Sequence, residues 1–479
     1  MRAWLRRCLL VLAVFALCWG GAIWYWRAST RVPTAGDLAG AMLVLPLSLL
    51  LAFWLGKKLL ARLSAGPAMA TATAAPQAQA APTAAPPAPL HIVAAALRMP
   101  GGATPEELAT AMQARQARPA LDTDLLDEDG YPLLCGKVAE VQEDLQQDTL
   151  AAWLRQHPQE GLDAQRFPFN PEDVRALALG GEVLADLAYE AMRHPLLPAC
   201  LTAPASARAA MALPTLQLHL LLPPAWSAAQ SQAGSAWLRQ LLLQQGWPPE
   251  KLAVPALPSL PTPTPFALLN HIAARAALDG QPCLAIVLAC NSYIGEMSVH
   301  DWASKGLLFS AAQADGQIPG EGAAGLLLAN AAEAALLEAP APVLLHQGAT
   351  QARDTARARK HGDPALLASL AAQALAAAAV LPADITLASA DTDQRPGPML
   401  ELMNCATALL PELDLGTQVQ SVGAACGHAG PVAALAALAL AQHAAASAPG
   451  QVLCLSNLDP LHCGAIVVGP PAGDGNDAG

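Results

Sequence analysis

The stretch Ala314–Ala329, ADGQIPGEGAAGLLLA, decides how the rest of the sequence is interpreted. An Asp-Gly turn leads into a glycine-rich run around Glu321, and a continuous apolar segment typical of a buried strand comes next. The glycines Gly320, Gly322 and Gly325 predict close backbone packing where a turn enters a central strand. The same run is also typical of a loop beside an active site, and the sequence favours the packing interpretation over that alternative.

Composition limits the classes of protein to which the chain can belong. It has 479 residues and a formal net charge of -12, which argues against nucleic acid as the main partner because phosphate binding needs a basic face. Apolar residues make up 54% of the chain and aromatic residues only 4%, so we expect a core of small and branched side chains. The ten cysteines are scattered without a CxxC pair, which favours free thiols in a reducing compartment.

The first 63 residues predict a transmembrane hairpin. Two apolar runs, at about 8–26 and 38–56, have the length needed to cross a bilayer. Three basic residues flank each outer end and two lie in the connection, so the positive-inside bias favours both ends in the cytoplasm. A cleaved signal peptide is the alternative. It is disfavoured because a second apolar run comes at once, without a small-residue cleavage site between them.

The remainder reads as a tether followed by an α/β domain. Residues 64–90 are rich in Ala, Pro, Thr and Gln and predict a flexible linker. Apolar runs then alternate with helical patterns, which predicts mostly parallel sheets covered on both faces. The strands are predicted at His91–Met99, Leu216–Leu222, Cys283–Cys290, Gly325–Ala332, Ile385–Ala390 and Val452–Asn457. Helices are predicted to begin at Thr104, Asn170, Phe266 and Pro431, and residues 470–479 to form a disordered tail.

Four segments resemble parts of the β-ketoacyl synthases. They are IVAAALRMPGGATPEELATAM (92–112), FNPEDVRALALGGEVLADLAYEAM (169–192), SKGLLFSAAQADGQIPGEGAAGLLLA (304–329) and VLCLSNLDPLHCGAIVVG (452–469). They occur in the order and at roughly the spacing of that family. The resemblance implies a thiolase-like fold, which is a duplicated five-layer αβαβα sandwich, with halves at 91–340 and 341–469.

The family's chemistry requires a cysteine at a helix N-terminus and two histidines in separate loops. The matching helix here begins after SLPTPTPF (259–266), which has no cysteine; Thr262 or Thr264 stands nearest, with no base close in sequence. Asp391-Thr392-Asp393-Gln394 occupies the loop of the first histidine. His428 falls about four residues beyond the position expected for the second. At most one of the three catalytic positions is therefore retained, and no catalytic residue and no cofactor are predicted.

The sequence also contains one candidate metal site. Cys426, His428, His462 and Cys463 lie in two loops that approach each other in the resembling fold, and four such side chains can hold zinc. Their spacing is atypical, so buried thiols and loop histidines are the favoured interpretation and no metal is predicted. The candidate lining of a degenerate binding cleft comprises Thr262, Thr264, Asp391, His428, His462 and Cys463.

Two further groups are candidates for binding a partner. Trp226, Trp237 and Trp247 lie in a Pro/Gln-rich region; core packing is the default, and a protein-binding surface is the alternative. A basic run could bind an acidic partner or inner-leaflet phospholipid, although a solvated helix face is favoured. It consists of Arg353, Arg357, Arg359, Lys360 and His361.

Together these features predict a non-catalytic scaffold held at the cytoplasmic face of a bacterial inner membrane. A two-span anchor joined to a degenerate thiolase-like domain resembles the type VI secretion lipase adapter proteins. That resemblance implies the loading of a phospholipase effector onto the secretion spike. One alternative is a divergent acyltransferase that uses Cys290 or Cys426. Another is a silent partner of an active ketosynthase, which would dimerise through an edge strand at Cys283–Cys290; homodimerisation is left open.

Overall fold

The computed structural model describes one large unit of the chain. It covers Trp19 and residues 88–127, 130–159, 161–162, 167–256, 264–280, 282–310, 313–338, 343–353, 364–448 and 450–471. The chain divides into the units Met1–Thr83 and Ala84–Gly479, and the fold is that of the second unit. The predicted hairpin, apart from Trp19, lies outside the described residues, as do residues 64–87 of the linker and 472–479 of the tail. Within the described ranges, no helix is both long enough and apolar enough to cross a membrane.

The strands form one large mixed sheet and a separate small one. The large sheet has the order β11-β10-β12-β13-β8-β1-β7-β6-β4-β5, with β9 beside β13, while β2 and β3 form a hairpin. The strands are β1 Leu90–Arg98, β2 Ala120–Leu126, β3 Pro132–Cys135, β4 Leu216–Leu221, β5 Leu252–Ala253, β6 Leu284–Ser292, β7 Glu321–Ala329, β8 Val343–Leu345, β9 Ala349–Ala352, β10 Ile385–Ala390, β11 Val419–Ser421, β12 Gln451–Ser456 and β13 His462–Gly469.

The helices lie between these strands, as the sequence pattern predicts. They are α1 Pro105–Gln113, α2 Glu143–Gln156, α3 Pro171–Ala191, α4 Leu197–Thr202, α5 Ala205–Arg208, α6 Ala228–Gln244, α7 Pro265–Asp279, α8 Glu296–Lys305, α9 Ala331–Leu336, α10 Pro364–Ala378, α11 Pro396–Leu409, α12 Val422–Cys426 and α13 Val432–Ser447. Thr104 and Asn170 cap α1 and α3 with side chains that accept backbone N–H bonds, and each helix has proline in its first turn. These two helix starts are confirmed.

The large sheet repeats one topology twice. In the first half β4, β5 and β6 are mutually parallel, and β7 lies antiparallel between β6 and β1. In the second half β10, β11 and β12 are parallel, and β13 lies antiparallel between β12 and β8. The two halves are joined where Leu90–Ile92 of β1 pairs antiparallel with Val343–Leu345 of β8. With β9 and the separate hairpin left out, each half therefore has its strands in the order 3-2-4-5-1, counted along the chain.

Side-chain alternation along the strands builds the layers. In β6, Ala285 and Val287 face a central core, while Leu284, Ile286 and Leu288 face an outer core. Because both faces are covered, the strand reads as a continuous apolar run, not as an alternating one. The outer core of the first half contains α3 and α6, the outer core of the second half contains α10 and α11, and the central core contains α7 and α13.

Helix α13 shows why alanine is so abundant in this sequence. Its segment VAALAALALA is buried on all sides, and a helix that is apolar around its whole circumference belongs inside a protein. It contacts strands of both halves, including β7 and β12. Small side chains allow the two halves of the large sheet to pack closely on this shared helix.

The strand predicted to form a dimer edge is instead an interior strand. Cys283–Cys290 lies in and just before β6, which is bonded to β4 on one side and β7 on the other. In the described part of the chain the large sheet ends at β5 and β11. The continuous apolar run indicates burial on both faces, but it does not indicate the position of the strand within the sheet. The prediction of an edge strand was wrong for this reason.

Candidate functional site

The repeated topology of the two halves determines where the predicted degenerate binding cleft would lie. In each half the third strand, β5 or β11, leads toward a central helix, α7 or α13. The head of α7 and the segment around His428 therefore hold related positions in the two halves. Thr264 is the N-cap of α7, and its hydroxyl accepts a hydrogen bond from the N–H of Ala267 at 3.3 Å. The hydroxyl oxygen of Thr264 thus caps the helix. Thr262 lies outside the described residues.

His428 is built into the junction between the halves. Its backbone N–H donates to the carbonyl of Ile318 at 2.8 Å, and its carbonyl accepts from the N–H of Gly320 at 3.1 Å. Its ring centroid lies 5.5 Å from that of Tyr293 and 5.6 Å from that of Trp302. The glycine-rich stretch and His428 are thereby brought together, although they are more than a hundred positions apart in the sequence.

The electrostatic surroundings keep this histidine neutral. Burial, and secondarily the positive charge of Arg395, lower the pKa of His428 to about 3. Its Nδ1 lies 3.9 Å from Oδ2 of Asp393, whose carboxylate is bonded to Arg395 at 2.7 Å. At neutral pH the ring is therefore an uncharged imidazole, and no hydrogen-bond partner for its Nδ1 occurs among the described residues.

Asp391 follows β10, at the position where the resemblance places the first catalytic histidine. Its carboxylate is hydrogen-bonded to other groups of the protein. Its carboxylate accepts from the Ser456 hydroxyl at 2.6 Å, from the N–H of Asn457 at 2.9 Å and from that of Leu458 at 3.1 Å. Burial raises the pKa of Asp391 to about 6 against these donors. The side chain fastens the loop after β10 to the loop after β12.

Arg353 belongs to the same buried network and not to an exposed basic face. Its guanidinium forms two hydrogen bonds of 2.8 Å to the carboxylate of Glu401, and Asn457 donates to Glu401 at 3.0 Å. Only 9% of Arg353 is exposed, so the prediction that it forms part of a solvated basic run was wrong. The other basic residues of that run, 357 and 359–361, lie outside the described residues.

Glu321, the acidic residue of the glycine-rich stretch, is the centre of a second buried network. Its carboxylate accepts from the guanidinium of Arg175 at two nitrogens, from the Ser292 hydroxyl at 2.9 Å and from the N–H of Val138 at 2.8 Å. Glu321 has no exposed surface, and Arg175 has little. This pair joins α3 to β7. All of these contacts connect parts of the fold, so the pair has a structural role.

The glycines of the same stretch serve close packing. A Cβ at Gly320 would lie 2.7 Å from the carbonyl oxygen of Cys426, and one at Gly325 would lie 2.7 Å from Cδ1 of Leu187. At Gly322 a Cβ would collide with Met99. Backbone approach therefore accounts for all three glycines.

The sequence at the head of α7 contains no cysteine. The unit Ala84–Gly479 contains eight cysteines, all described and all buried. Burial raises the pKa of both Cys290 and Cys426 to about 12, which disfavours the nucleophilic thiolate. Cys290 faces the outer core of the first half, and the thiol of Cys426 donates to the carbonyl of Pro100 at 3.3 Å. Neither residue is exposed to solvent.

The four candidate zinc ligands do not converge. Cys426 lies in the central core, whereas Cys463 lies in the outer core of the second half, across the sheet. His462 faces Asp459 in the last hairpin, with 3.6 Å between Nδ1 and Oδ2. Among the described residues, no group of three or more His, Cys, Asp or Glu side chains is arranged for a metal ion.

The three tryptophans of the candidate partner surface are core residues or half-buried. Trp237 and Trp247 are 2% and 1% exposed, and the Trp247 indole donates to the carbonyl of Lys251 at 2.7 Å. Trp226 is half-buried and donates to the carboxylate of Asp173 beside the ring of Phe169. Trp237 and Trp247 are therefore core residues, as the default interpretation has it, and the surface alternative stays a prediction for Trp226 alone.

Solved structures with a similar fold include several ketosynthases. The ketosynthase from module 6 of the bacillaene synthase of Bacillus subtilis 168 matches with a TM-score of 0.55 and 14% identity, over 80% of this chain and 72% of that one. The oxazolomycin ketosynthase domain OzmH KS7 of Streptomyces albus JA3453 matches at 0.52 and 15%, over 80% and 74%. The ishigamide ketosynthase/chain length factor matches at 0.52 and 17%, over 80% and 99%.

No family model matches the sequence, and no curated protein matches it either. The identities to the solved structures are low enough that they establish the fold alone. The chain therefore has a ketosynthase-like fold of the thiolase type, as the sequence predicts.

Proposed function

We propose that this protein is a non-catalytic scaffold built on a ketosynthase-like fold. One observation carries the proposal: the helix whose head should present the nucleophile begins with a threonine cap and a proline, and every cysteine of the unit is buried elsewhere. Cysteine chemistry needs an accessible thiolate, which burial disfavours.

The other catalytic positions support the same conclusion. Asp391 holds a neighbouring loop through three hydrogen bonds, in a place where the family's chemistry requires a neutral or positive donor. His428 is packed between aromatic rings as a neutral imidazole. His428 packs across the junction between the halves, whereas Asp391 holds two loops of the second half together. A rigid arrangement of this kind is a suitable platform for binding.

The more specific form of the proposal is an adapter of the type VI secretion system. In this proposal the hairpin at 8–26 and 38–56 anchors the chain in the inner membrane, and residues 64–90 tether the domain on the cytoplasmic side. The domain binds a secreted phospholipase effector and a component of the spike, and so brings the two together. Support comes from the arrangement of hairpin, linker and degenerate domain in the sequence.

The test is affinity purification of the full chain from native membranes, combined with intact-mass analysis after incubation with acyl-CoA or acyl-carrier thioester. An active ketosynthase treated in parallel serves as the positive control for acylation. We expect a stoichiometric effector in the purified complex and no acyl mass shift. A thioester-labile adduct would contradict the scaffold proposal, and Cys290→Ser and Cys426→Ser variants would then locate it.

The membrane arrangement has its own test. A reporter that is active only in the cytoplasm, fused to the C-terminus, should be active. A reporter that is active only in the periplasm, fused at the same position, is the control and should be inactive. Activity of the periplasmic reporter alone would overturn the proposed topology and leave the fold of the domain unaffected.

A further inference from the structure

A groove with a volume of about 320 Å³ lies near α3, but a larger one runs along the free edge of β11. The larger groove has a volume of about 760 Å³ and lies between β11 and the C-terminal end of α1. It reaches the start of β10 at Thr386 and Leu387, at the opposite end of that strand from Asp391. The groove is thus separate from the candidate cleft.

The edge of β11 offers backbone hydrogen-bonding groups to this groove. In the described residues β11 pairs only with β10, and the N–H of Ala388 donates to the carbonyl of Gln418 at 2.9 Å. A parallel pair uses the backbone groups of alternate residues, so both groups of Val419 and the N–H of Ser421 point away from β10. The carbonyl of Ser421, which is the N-cap of α12, accepts the first hydrogen bond of that helix. An unpaired row of this kind is a template for another strand.

The charge of the groove is opposite to that of the whole protein. Arg115 and Arg118 line it, both exposed, and its lining contains no acidic residue. Among the described residues, no carboxylate forms an ion pair with either arginine. Asp414, which is near Arg115, is engaged by the N–H of Gly416 and the hydroxyl of Thr417. In a chain with a net charge of -12, two such cations beside an open strand edge favour an acidic ligand.

The floor of the groove contains an amide whose acceptor atom is unused. Gln420 is 8% exposed, and its Oε1 has no hydrogen-bond partner among the described residues. The neighbouring Gln418 differs, because its amide bonds both to the carbonyl of Thr386 at 3.2 Å and to the N–H of Asp414 at 2.8 Å. A buried acceptor without a partner is costly, and a ligand N–H would satisfy it.

We propose that this groove binds an extended, acidic peptide segment of a partner protein as an added strand beside β11. The peptide backbone pairs with Val419 and with the N–H of Ser421. Its acidic side chains reach Arg115 and Arg118, and one N–H of the peptide satisfies Gln420. Main-chain bonds supply affinity and alternate side chains supply specificity in this mode of recognition. The inference goes beyond the proposed function, since it depends neither on the state of the cleft nor on the secretion assignment.

The experiment measures fluorescence anisotropy with the full chain, purified in mild detergent, and a fluorescein-labelled capped peptide of alternating Glu and Val. We expect saturable binding of this peptide, and none of its Lys/Val counterpart. The double variant Arg115→Ala/Arg118→Ala should weaken binding about tenfold. Gln420→Leu, which keeps the side-chain volume but removes the acceptor, should weaken it about fivefold.

Two controls separate strand addition from simple attraction of charge. The double variant Arg155→Ala/Arg193→Ala removes two arginines that do not line the groove and should bind the peptide as the parent chain does. A peptide with alternate backbone nitrogens methylated keeps the acidic side chains and should lose binding, since it cannot pair as a strand. Undiminished binding of the methylated peptide, equal competition by inorganic phosphate, or no saturable binding at all would overturn the proposal.

Discussion

Glu321 and Arg175 illustrate what a buried charge requires in this fold. The carboxylate has no contact with solvent, yet four donor groups from α3, β6 and the segment after β3 converge on it. Such a pair adds little net stability when intact, but removal of one partner leaves the other charge buried and unpaired.

Glu321→Gln should therefore destabilise the protein strongly. We expect the free energy of unfolding to fall by about 3 kcal/mol, because Arg175 would keep its charge in a buried site. Glu190→Gln is the matched control: it breaks the exposed pair with Arg193, with 2.9 Å between Nη1 and Oε2, and should cost less than about 1 kcal/mol. Urea unfolding at neutral pH compares the two, and equal losses would contradict the assignment of Glu321 as a structural centre.

Asp391 provides a prediction about pH. Burial raises its pKa to about 6 in the folded protein, above the ordinary value of 3.8, so the folded state holds the proton more tightly than the unfolded chain does. Its contribution to stability is thus fully present below about pH 4 and is lost as the pH rises through about 6. Between those limits the loss amounts to about 3 kcal/mol.

Asp391→Asn removes this titration but keeps the shape and an acceptor for the backbone N–H groups of Asn457 and Leu458. Relative to the parent, the variant should gain stability as the pH rises from about 4 to about 7. Urea unfolding across that interval is the measurement, and Asp301→Asn, at an exposed position on α8, is the control whose profile should parallel the parent's. Parallel profiles for Asp391→Asn would show that the carboxyl does not titrate as described.

The sequence predicts the role of the glycines in β7 and before it, but not the buried ion pairs, because the partners of those pairs are far apart in the sequence. Gly320, Gly322 and Gly325 were predicted to serve close packing, and the structure shows the packing atoms. The ion pair of Arg175 with Glu321 joins residues 146 positions apart, and that of Arg353 with Glu401 joins residues 48 apart. No local periodicity indicates such distant partners. Arg353, which forms a buried ion pair in the structure, is therefore interpreted from the sequence as part of a basic run.

Among the elements, β7 is especially sensitive to added volume. Gly325→Ala would place a methyl group 2.7 Å from Cδ1 of Leu187 and 3.0 Å from the carbonyl oxygen of Val287. We expect a loss of about 1–3 kcal/mol in the free energy of unfolding.

Gly416→Ala is the matched control at an exposed position. Apart from its chain neighbours, a Cβ there would meet only Oδ1 of Asp414, at 3.4 Å, which is an ordinary van der Waals contact. This substitution should change the free energy of unfolding by less than about 0.5 kcal/mol. If both substitutions had the same effect in urea unfolding, the close packing at β7 would be refuted.

The elements found from the sequence are those with long apolar patterns or clear capping residues. Strand β10 matches its predicted bounds, and α3 begins at the residue that its capping asparagine indicates. The hairpin of β2 and β3 was missed, because ALDTDLL has acidic residues on its exposed strand and no continuous apolar run. Its small core is completed by residues from other segments, among them Ile294 and Trp302.

At the scale of the whole molecule, the eight cysteines of the unit Ala84–Gly479 predict a uniform response to thiol reagents. With Cys8→Ser and Cys18→Ser in place, the native full chain should react with a chromogenic disulfide reagent only as fast as it unfolds. In denaturant all eight remaining thiols should react at once. A single thiol that reacts rapidly in the native chain would reveal an accessible nucleophile and contradict the scaffold proposal.

The first strand of the sheet also determines how the molecule responds to tension. Strand β1 begins at Leu90 and has antiparallel neighbours on both sides, β7 along most of its length and β8 at its start. A pull on the N-terminus is directed along this strand, at right angles to the hydrogen bonds that hold it. Those bonds must then shear together and cannot open one after another. The start of β1 is thus a mechanically resistant element, and a load applied there reaches both halves at once.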